Sequence, residues 1–510
     1  MKKTANILVC LLVLVSFWAC KADSPSVLTI SPAEVTLNVG EIKTLQLIAD
    51  GNEIALSAAK WTSTDSTIVY VTAGIIQGVK EGVAIVTARY KEVKAECIVT
   101  IAKEGSGEDL SAAVHYLPRS AKRGVGYSFG QFPNEDVSAL APFISWCYNW
   151  GSYPSSEEIS NLLDAAQIEY IPMAWNGVNE QQIRAYKKSH PQCKYILAFN
   201  EPNLTDQANM TPQKAAEKWP ALKSLADELG LKIVSPAMNY GTLAGYSDPV
   251  KWLDEFFELV PKSDMCAIAL HCYMASASAM YSYIHKFDKY QLPIWMTEFC
   301  AWDNPSPSSV QGQTDYMNEA VIMLEADPNV ERFAWFIPRA SGAVDSYPYM
   351  QLLSKTDIGE LSIQGQIFGA ISSLDAQTWL SSEVPILPNT YCSSSAVEAI
   401  RNGHFEAAPY LRASTDCAGE LMLCNFTTDK WLEYQIDVKQ AKKTMVLRYL
   451  AITGSVLTLY VDGVEQQTIN LPWSDMKWET AEINLPITTG KHTVRLLSKG
   501  NLYLSWFKLN

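Results

Sequence analysis

Two glutamates, each standing at the end of an apolar run, are the residues of this chain best suited to acid–base chemistry. Glu201 lies in A-F-N-E-P at 198–202, and Glu298 lies in W-M-T-E-F at 295–299. An apolar strand that finishes in a charged side chain is a local inconsistency, and such inconsistencies cluster at functional sites. A structural glutamate paired with lysine or arginine is the alternative for each residue alone, but two such positions favour a common task.

Hydrolysis of a glycosidic bond is a reaction that needs such a pair. One carboxyl group must carry a proton to release the leaving oxygen, and the other must be ionised to attack the anomeric carbon or to activate water. Burial and a like-charged neighbour can push the two pKa values apart. The chain has no H-E-x-x-H, P-loop or dinucleotide motif and no zinc-type cysteine spacing, so neither a metal nor a cofactor is expected.

Residues 119–375, which contain both glutamates, alternate between short apolar strands and helical stretches. This repetition favours a parallel sheet, and eight strands are the number that closes a (β/α)8 TIM barrel. The two glutamates end strands four and seven, and the carboxyl ends of barrel strands form the face that holds active sites. The predicted strands are Gly124–Phe129, Ile144–Trp150, Tyr170–Trp175, Tyr195–Asn200, Lys232–Ser235, Met265–Tyr273, Ile294–Phe299 and Arg332–Ile337.

The sequence of this segment also predicts where some of its helices begin and end. Ser155 and Glu158 form a capping box, which predicts that a helix begins there. Thr211-Pro212 predicts the start of a second helix, and Gly230 predicts its end.

The segments on either side of the barrel have the period of β-strands. In residues 26–103, Val35, Leu37 and Val39 alternate with polar residues, and glycines mark the turns. Residues 390–510 show the same alternation, with a turn at 462–463. The predicted fold is therefore multidomain, with a TIM barrel flanked by an N-terminal Ig-like β-sandwich and a C-terminal β-sandwich.

The barrel motifs resemble those of clan A glycoside hydrolases, and within that clan the Asl1-like glycosyl hydrolase family, which includes glycoside hydrolase family 128. The motifs that carry the resemblance are K-R-G-V-G-Y at 122–127, W-C-Y-N-W at 146–150, I-P-M-A-W at 171–175, F-N-E-P at 199–202, S-P-A at 235–237, A-L-H-C-Y at 269–273 and W-M-T-E-F at 295–299. The resemblance implies an endo-acting, retaining enzyme that cleaves β-1,3-glucan of the laminarin type.

The same resemblance implies roles for individual residues. Glu201 would be the acid/base and Glu298 the nucleophile, while Asn200 would contact the sugar 2-hydroxyl group. Tyr273 would orient Glu298, with His271 beside it. Flat, rigid aromatic rings suit stacking on sugar faces, although core packing is the alternative for each ring. The candidate platforms are Trp150, Trp175, Trp302 and Trp335.

The flanking segments have resemblances of their own. G-I-I-Q-G-V at 74–79 and A-I-V-T-A at 84–88 are similar to bacterial Ig-like group 2 domains, which implies a spacer or adhesion module. W-L-E-Y-Q-I-D-V at 431–438, V-D-G at 461–463, K-W-E-T at 477–480 and G-K-H-T-V-R-L at 490–496 resemble a family 6-like carbohydrate-binding module. The expected partner is a β-glucan polysaccharide.

Residues 1–20 have the features of a lipoprotein signal peptide. Lys2 and Lys3 precede an apolar run that is too short to span a bilayer, and Ala19-Cys20 follows it. Cys20 in this lipobox-like position predicts lipid modification and a membrane anchor, with an ordinary signal peptide as the alternative. The predicted location is the outer membrane, on the cell surface or the periplasmic face.

The overall charge limits which partners the chain could bind, and the cysteines raise the question of a disulfide. A formal net charge of -14 argues against a nucleic-acid partner, whose phosphates would repel the chain, and is compatible with a neutral glycan. A monomer is expected. Cys417 and Cys424 are close enough in the sequence to form a disulfide, but the sequence alone does not establish one.

The sequence is also compatible with other functions. G-Y-S-F-G at 126–130 matches the G-x-S-x-G motif of serine hydrolases, but Ser128 sits at the first barrel strand and lacks the strand–helix context of that elbow. The rival readings are another clan A β-glycanase with a different linkage preference and a noncatalytic surface glycan-binding protein. The pair of glutamates argues against the latter, because binding alone does not require both.

Overall fold

The structure is a computed structural model that describes residues 25–102, 108–303, 305–416 and 421–510. The described chain divides into two compact units, residues 25–102 and residues 108–510. The predicted signal peptide, Cys20 and Cys417 lie outside the described residues.

The N-terminal unit is built from β-strands. It forms the three sheets β1-β4-β5, β2-β10-β9-β6 and β3-β8-β7, in which only β2 and β10 pair in parallel. The predicted alternation is present, since Val35 and Leu37 are buried while their neighbours face outward. The strands are β1 (Leu28–Ser31), β2 (Glu34–Asn38), β3 (Ile42–Thr44), β4 (Gln46–Ala49), β5 (Asn52–Ile54), β6 (Lys60–Ser63), β7 (Val69–Thr72), β8 (Ile75–Gly78), β9 (Gly82–Tyr90) and β10 (Val93–Ala102).

The second unit begins with eight parallel strands in one curled sheet, which makes a TIM-like barrel. The strand order is β13-β12-β11-β18-β17-β16-β15-β14, and each predicted strand overlaps one of them. The two edges of the sheet meet where Met173, three residues after β13, forms a parallel bridge with Leu197 of β14. The strands are β11 (Arg123–Gly126), β12 (Trp146–Tyr148), β13 (Glu169–Tyr170), β14 (Tyr195–Leu197), β15 (Lys232–Val234), β16 (Met265–Cys272), β17 (Ile294–Phe299) and β18 (Val330–Trp335).

Eight helices accompany these strands in the described residues. Thr211 caps α4 by accepting the Lys214 N–H, and Gly230 ends it in the left-handed conformation, as the sequence predicted. The start of α2 was predicted one residue too early, because Ser156 rather than Ser155 accepts the Ile159 N–H. The helices are α1 (Pro133–Leu140), α2 (Glu157–Ala165), α3 (Glu180–Ser189), α4 (Pro212–Leu229), α5 (Pro249–Leu259), α6 (Ala277–Ile284), α7 (Val310–Ala326) and α8 (Ile363–Ala370).

The remaining described residues form two further β-sheets, and α9 (Ser395–Arg401) lies between their second and third strands in the chain. One sheet has the order β19-β23-β28-β25-β26, with β20 paired to β23, and the other has the order β21-β22-β29-β24-β27. The strands are β19 (Leu380–Ser381), β20 (Ser393–Ser394), β21 (Tyr410–Ala413), β22 (Leu421–Thr427), β23 (Trp431–Val438), β24 (Lys442–Ala451), β25 (Ser455–Val461), β26 (Val464–Leu471), β27 (Glu479–Ile487), β28 (Gly490–Lys499) and β29 (Asn501–Leu509).

The barrel and the C-terminal sheets share one hydrophobic core. Phe333 of β18 and Phe426 of β22 belong to the same cluster of buried side chains. Asn318 of α7 donates its Nδ2 to Leu411 O at 3.1 Å and accepts the Leu411 N–H at 2.8 Å. The C-terminal sheets are therefore part of the barrel's folded unit rather than a tethered appendage. None of the helices in the described residues has both the length and the apolar character needed to cross a lipid bilayer.

Candidate active site

Glu201 and Glu298 meet at the carboxyl-terminal mouth of the barrel. Glu298 is in β17, and Glu201 follows β14 by four residues. Both are buried, with exposed fractions of 6% and 4%. One carboxylate oxygen of each lies within 4.8 Å of the other, together with a ring nitrogen of His271. The structure thus brings together the two glutamates that the sequence singled out.

An irregularity between β16 and β17 sets His271 opposite Glu298. Leu270 pairs with Met296, but His271 pairs with Glu298, so that Thr297 is an extra residue in β17. A β-bulge of this kind re-aims the side chains that follow it, and bulges are common beside active sites. Because of this shift, the imidazole and the carboxylate face the same space above the sheet.

Two residues of the site hold the left-handed backbone conformation that side chains other than glycine rarely adopt. Glu201 has a φ of +42° and Trp150 a φ of +63°. Such residues cost on the order of 1–3 kcal/mol and persist only where the surrounding structure holds them, most often at functional sites. The backbone is therefore strained at two residues whose side chains make polar contacts at the mouth of the barrel.

Glu298 receives hydrogen bonds on both of its oxygens. Trp150 Nε1 donates to Oε1 at 2.7 Å, the Tyr148 hydroxyl also donates to Oε1 at 2.9 Å, and the Tyr273 hydroxyl donates to Oε2. Burial, together with the charge of Glu298, raises the pKa of both tyrosines well above the usual value. Both hydroxyl groups therefore keep their protons and act as donors that orient the Glu298 side chain.

His271 connects the two glutamates. It is wholly buried, and its Nδ1 lies 3.0 Å from Glu201 Oε1 and 3.4 Å from Glu298 Oε2. Burial lowers the pKa of His271, but the carboxylates of Glu298 and Glu201 outweigh burial and raise it above its usual value. A cation between two carboxylates is thus the arrangement that the free site favours.

The electrostatics of Glu201 differ from the expected pattern, in which burial and a like-charged neighbour raise the pKa of the acid. Burial does oppose ionisation of Glu201. The charge of His271 and hydrogen bonds from His271 and Asn239 outweigh burial, however, and lower the pKa of Glu201. His271 Nδ1 lies 3.0 Å from Glu201 Oε1, so the imidazole is one hydrogen bond away from the carboxylate.

The types of these three side chains would also suit a divalent cation, since each offers one ligand atom within 4.8 Å of the others. The donors around them point to a different occupant. The N–H and O–H groups of Trp150, Tyr148 and Tyr273 are directed at the oxygens of Glu298, and Asn239 Nδ2 donates to Glu201 Oε1 at 3.2 Å. Such donors hold free carboxylates, so the arrangement fits acid–base work better than metal ligation.

An open cavity of about 640 Å³ lies over the carboxylates. Its walls are partly aromatic, which suits a sugar, whose C–H faces stack on flat rings while its hydroxyl groups find polar partners. The buried Asn200 also lines it, and its Oδ1 has no hydrogen-bond partner among the described residues. The lining residues are Trp150, Asn200, Glu201, Leu204, Gln207, Asn239, Tyr273, Glu298, Trp302, Asp303, Phe336 and Ile337.

The four candidate tryptophan platforms have different outcomes. Trp302 is 39% exposed, lines the cavity and stacks on Phe336 at 6.1 Å, as a platform requires. Trp150 lines the cavity too, but its indole N–H is committed to Glu298. Trp175 is half-buried and is not among the lining residues. The expectation for Trp335 was wrong, because its ring is wholly buried and its Nε1 donates to Met350 O.

The sequence analysis did not name several residues of the site, and three of them contact a glutamate or form a wall of the cavity. Tyr148 contacts Glu298, Asn239 contacts Glu201, and Phe336 forms a wall of the cavity. Each follows or ends a barrel strand, namely β12, β15 and β18. Polar or aromatic residues at strand ends were the signal that would have found them.

Ser128, the serine-hydrolase alternative, has no histidine bonded to its hydroxyl in the described part of the chain, and His271 is engaged with the glutamates.

Two protein-family models match the chain. The model described as glycosyl hydrolase catalytic core matches residues 124–368, which is nearly all of the TIM-like barrel. The model described as carbohydrate binding module (family 35) matches residues 401–509. The expected family 6-like module is therefore corrected to family 35. Its resemblance rested mainly on framework residues of strands, which β-sandwich modules have in common.

Individual proteins are similar to about half of the chain. Alkali-sensitive linkage protein 1 of Schizosaccharomyces pombe is 26% identical over 262 residues, which are 49% of this chain and 44% of that protein. The chain thus spans less than half the length of this curated relative. A family 128 (subgroup II) endo-β-1,3-glucanase from Pseudomonas viridiflava is 35% identical, with 49% of this chain and 96% of that one covered and a TM-score of 0.44.

A second solved structure gives the same picture. The family 128 (subgroup II) endo-β-1,3-glucanase from Sorangium cellulosum is 31% identical, with 48% of this chain and 96% of that one covered and a TM-score of 0.42. Residues 124–368 therefore form a glycosyl hydrolase catalytic core, residues 401–509 form a family 35 carbohydrate-binding module, and the chain is a glycoside hydrolase.

Proposed function

We propose that this glycoside hydrolase cleaves internal bonds of a β-1,3-glucan with retention of the anomeric configuration. The observation that carries the proposal is the short separation of Glu201 and Glu298, which have oxygens within 4.8 Å of each other. Retaining enzymes hold their two carboxyl groups about 5–5.5 Å apart, whereas inverting enzymes need about 6.5–9.5 Å to admit a water molecule. Direct attack by a carboxylate suits the tighter space.

In this proposal, Glu298 attacks the anomeric carbon while the leaving oxygen takes a proton from Glu201. The proton reaches Glu201 from His271 Nδ1 along their 3.0 Å hydrogen bond. A glycosyl–enzyme ester forms on Glu298, and the bond to the leaving sugar breaks. Glu201, now ionised, removes a proton from water, and the resulting hydroxide attacks the anomeric carbon and frees Glu298. Asn200, at the floor of the cavity, contacts the sugar 2-hydroxyl group.

The choice of glucan rests on sequence relationship. The chain is 35% identical, over 49% of its own length, to an enzyme named as an endo-β-1,3-glucanase, of which 96% is covered. The half-exposed ring of Trp302 and the open shape of the cavity suit a chain that continues past the cleavage site. An endo-acting enzyme needs such an open passage, whereas an exo-acting one needs a wall at one end.

The other parts of the chain are assigned supporting roles in the same proposal. Residues 390–510 hold the enzyme on insoluble glycan through the family 35 module, with residues 119–375 as the catalytic domain. Residues 26–103, an Ig-like group 2 domain in this proposal, act as a spacer. The lipid on Cys20 anchors the protein to the outer membrane, and the enzyme works as a monomer.

A reducing-sugar assay on purified protein tests the central claim. Laminarin, carboxymethylcellulose, xylan and mannan are compared with wild type, Glu298→Gln and a control variant, Glu217→Gln, which changes an exposed glutamate on α4. Release of sugar from laminarin by wild type and the control, with almost none by Glu298→Gln, is expected. Strong cleavage of another glycan with none of laminarin would refute the linkage, and full activity of Glu298→Gln would refute the nucleophile.

A further inference from the structure

A second cavity, of about 630 Å³, lies beside the catalytic one. Tyr240 lines it and is 43% exposed. The residue before it, Asn239, lines the catalytic cavity. The other lining residues supply hydroxyl, ammonium and carboxylate groups, and they include Ser247, Asp248 and Lys286. An aromatic face with polar groups around it is the composition of a site for a neutral sugar.

Tyr240 is tied to Glu201 through a single side chain. The Tyr240 N–H donates to Asn239 Oδ1 at 2.8 Å, and Asn239 Nδ2 donates to Glu201 Oε1 at 3.2 Å. The position of the tyrosine is thus coupled to the carboxylate that acts as acid/base in the proposed function. The hydrogen-bond donors to Glu298, by contrast, come from Tyr148, Trp150 and Tyr273.

The loop that carries Tyr240 is held rigidly against the loop that carries Glu201. Asn203, which is wholly buried, donates its Nδ2 to Asn239 O at 2.7 Å, and its carbonyl oxygen accepts the Leu243 N–H at 2.9 Å. Gly241 packs so closely that a Cβ there would lie 2.3 Å from Asn203 O. A platform gains affinity when it is already ordered before its ligand arrives, because less entropy is lost on binding.

Two neighbouring side chains also hold the ring of Tyr240 in place. The buried ring of Tyr283 packs against it with a centroid distance of 5.4 Å. Lys286 Nζ donates to the Tyr240 hydroxyl at 2.7 Å. One face of the ring is thus backed by the core while the side chain remains 43% exposed to solvent. This arrangement leaves an aromatic surface for a ligand outside the catalytic cavity.

We propose that this second cavity binds a glucosyl unit on the leaving-group side of the cleaved bond, with Tyr240 as its stacking platform. The assignment rests on the proposed function, in which Glu201 protonates the leaving oxygen. The surface coupled to Glu201 therefore faces the part of the glucan that departs. A substrate long enough to reach Tyr240 gains binding from it, whereas an aryl glycoside with a small phenol as leaving group does not reach it.

The test compares kcat/KM on laminari-oligosaccharides of increasing length with kcat/KM on an aryl β-laminarioside. Tyr240→Ala is expected to lower the ratio of long-substrate to aryl-substrate kcat/KM by about 3- to 10-fold, mainly through KM. Tyr240→Phe keeps the ring and should retain most of that ratio. Tyr70→Ala, an exposed tyrosine in the N-terminal unit, serves as the control and should leave the ratio unchanged.

An equal loss of kcat/KM on both substrates, or no loss on either, would overturn the subsite. Retention of the ratio by Tyr240→Ala but not by Tyr240→Phe would do so as well. The wild-type arm tests the proposed function separately. If wild type cleaves the aryl glycoside but no laminari-oligosaccharide, the β-1,3 specificity is refuted, and the subsite for that glucan is refuted with it.

Discussion

The ion pair around His285 allows a quantitative prediction about stability. His285 follows α6, and its two ring nitrogens lie 2.7 Å from Asp288 and 3.2 Å from Asp327. The carboxylate of Asp327, which is almost fully buried, is the largest cause of a raised pKa, burial of the imidazole opposes it, and Asp288 adds to it. Together they raise the pKa of His285 from 6.5 to about 9.

This shift converts into a stability that depends on pH. A folded-state pKa above the unfolded value stabilises the folded protein, fully below pH 6.5 and progressively less as the pH rises through about 9. A shift of this size corresponds to roughly 3 kcal/mol, and solvent screening at a side chain that is 26% exposed reduces it to about 2–3 kcal/mol. His285→Gln should therefore be about 2–3 kcal/mol less stable than wild type at pH 6, and the gap should close towards pH 10.

Urea unfolding at pH 6, 8 and 10, followed by tryptophan fluorescence, measures this gap. The signal comes almost entirely from the barrel and the C-terminal sheets, because the described N-terminal unit contains only Trp61. His404→Gln changes an exposed histidine and is the control, for which a gap near zero is expected at every pH. A gap for His285→Gln that stays constant or widens between pH 6 and pH 10 would refute the reasoning.

Further predictions concern chemistry, binding and location. Glu201→Gln should lower kcat on laminarin by about 10²- to 10⁴-fold but affect an activated aryl glycoside far less, because that leaving group needs little proton donation. NMR of the first product should show the β-anomer, and an initial α-anomer would exclude Glu298 as nucleophile. Trp473→Ala should weaken retention on insoluble glucan, since Trp473 is 61% exposed, while Met476→Ala in the same loop should not; equal retention of both variants would remove Trp473 as the platform. Cys20→Ala should move the protein from the membrane fraction to the soluble fraction, and identical fractionation of the variant and wild type would disprove the lipid anchor.

Point substitutions suit the C-terminal module better than its deletion. The module shares a hydrophobic core with the barrel and exchanges hydrogen bonds between Asn318 and Leu411. Removing residues 390–510 would expose that core, so a loss of activity in the truncated protein would report on folding as well as on binding.

Much of the architecture could be predicted from the sequence because it follows from the local periodicity of apolar and polar residues. Alternation with a period of two predicted the strands of both flanking segments, and the repetition of strand and helix predicted the eight parallel strands. Thr211 and Gly230 marked the ends of α4, since a cap depends only on a few neighbouring residues. The two glutamates stood out for the same reason, as charged residues at the ends of apolar strands.

What only the tertiary structure decided depends on contacts between distant segments. The bulge at Thr297 places His271 opposite Glu298, and the resulting cation lowers rather than raises the pKa of Glu201. Trp302 and Trp335 look equivalent in the sequence, yet Trp302 lines the cavity and Trp335 is buried in the hydrophobic core. Strand register and the packing of loops settle such differences, and neither has a local period. The sequence by itself therefore determined which residues have the chemistry, while the fold decided which of them meet and in what charge state.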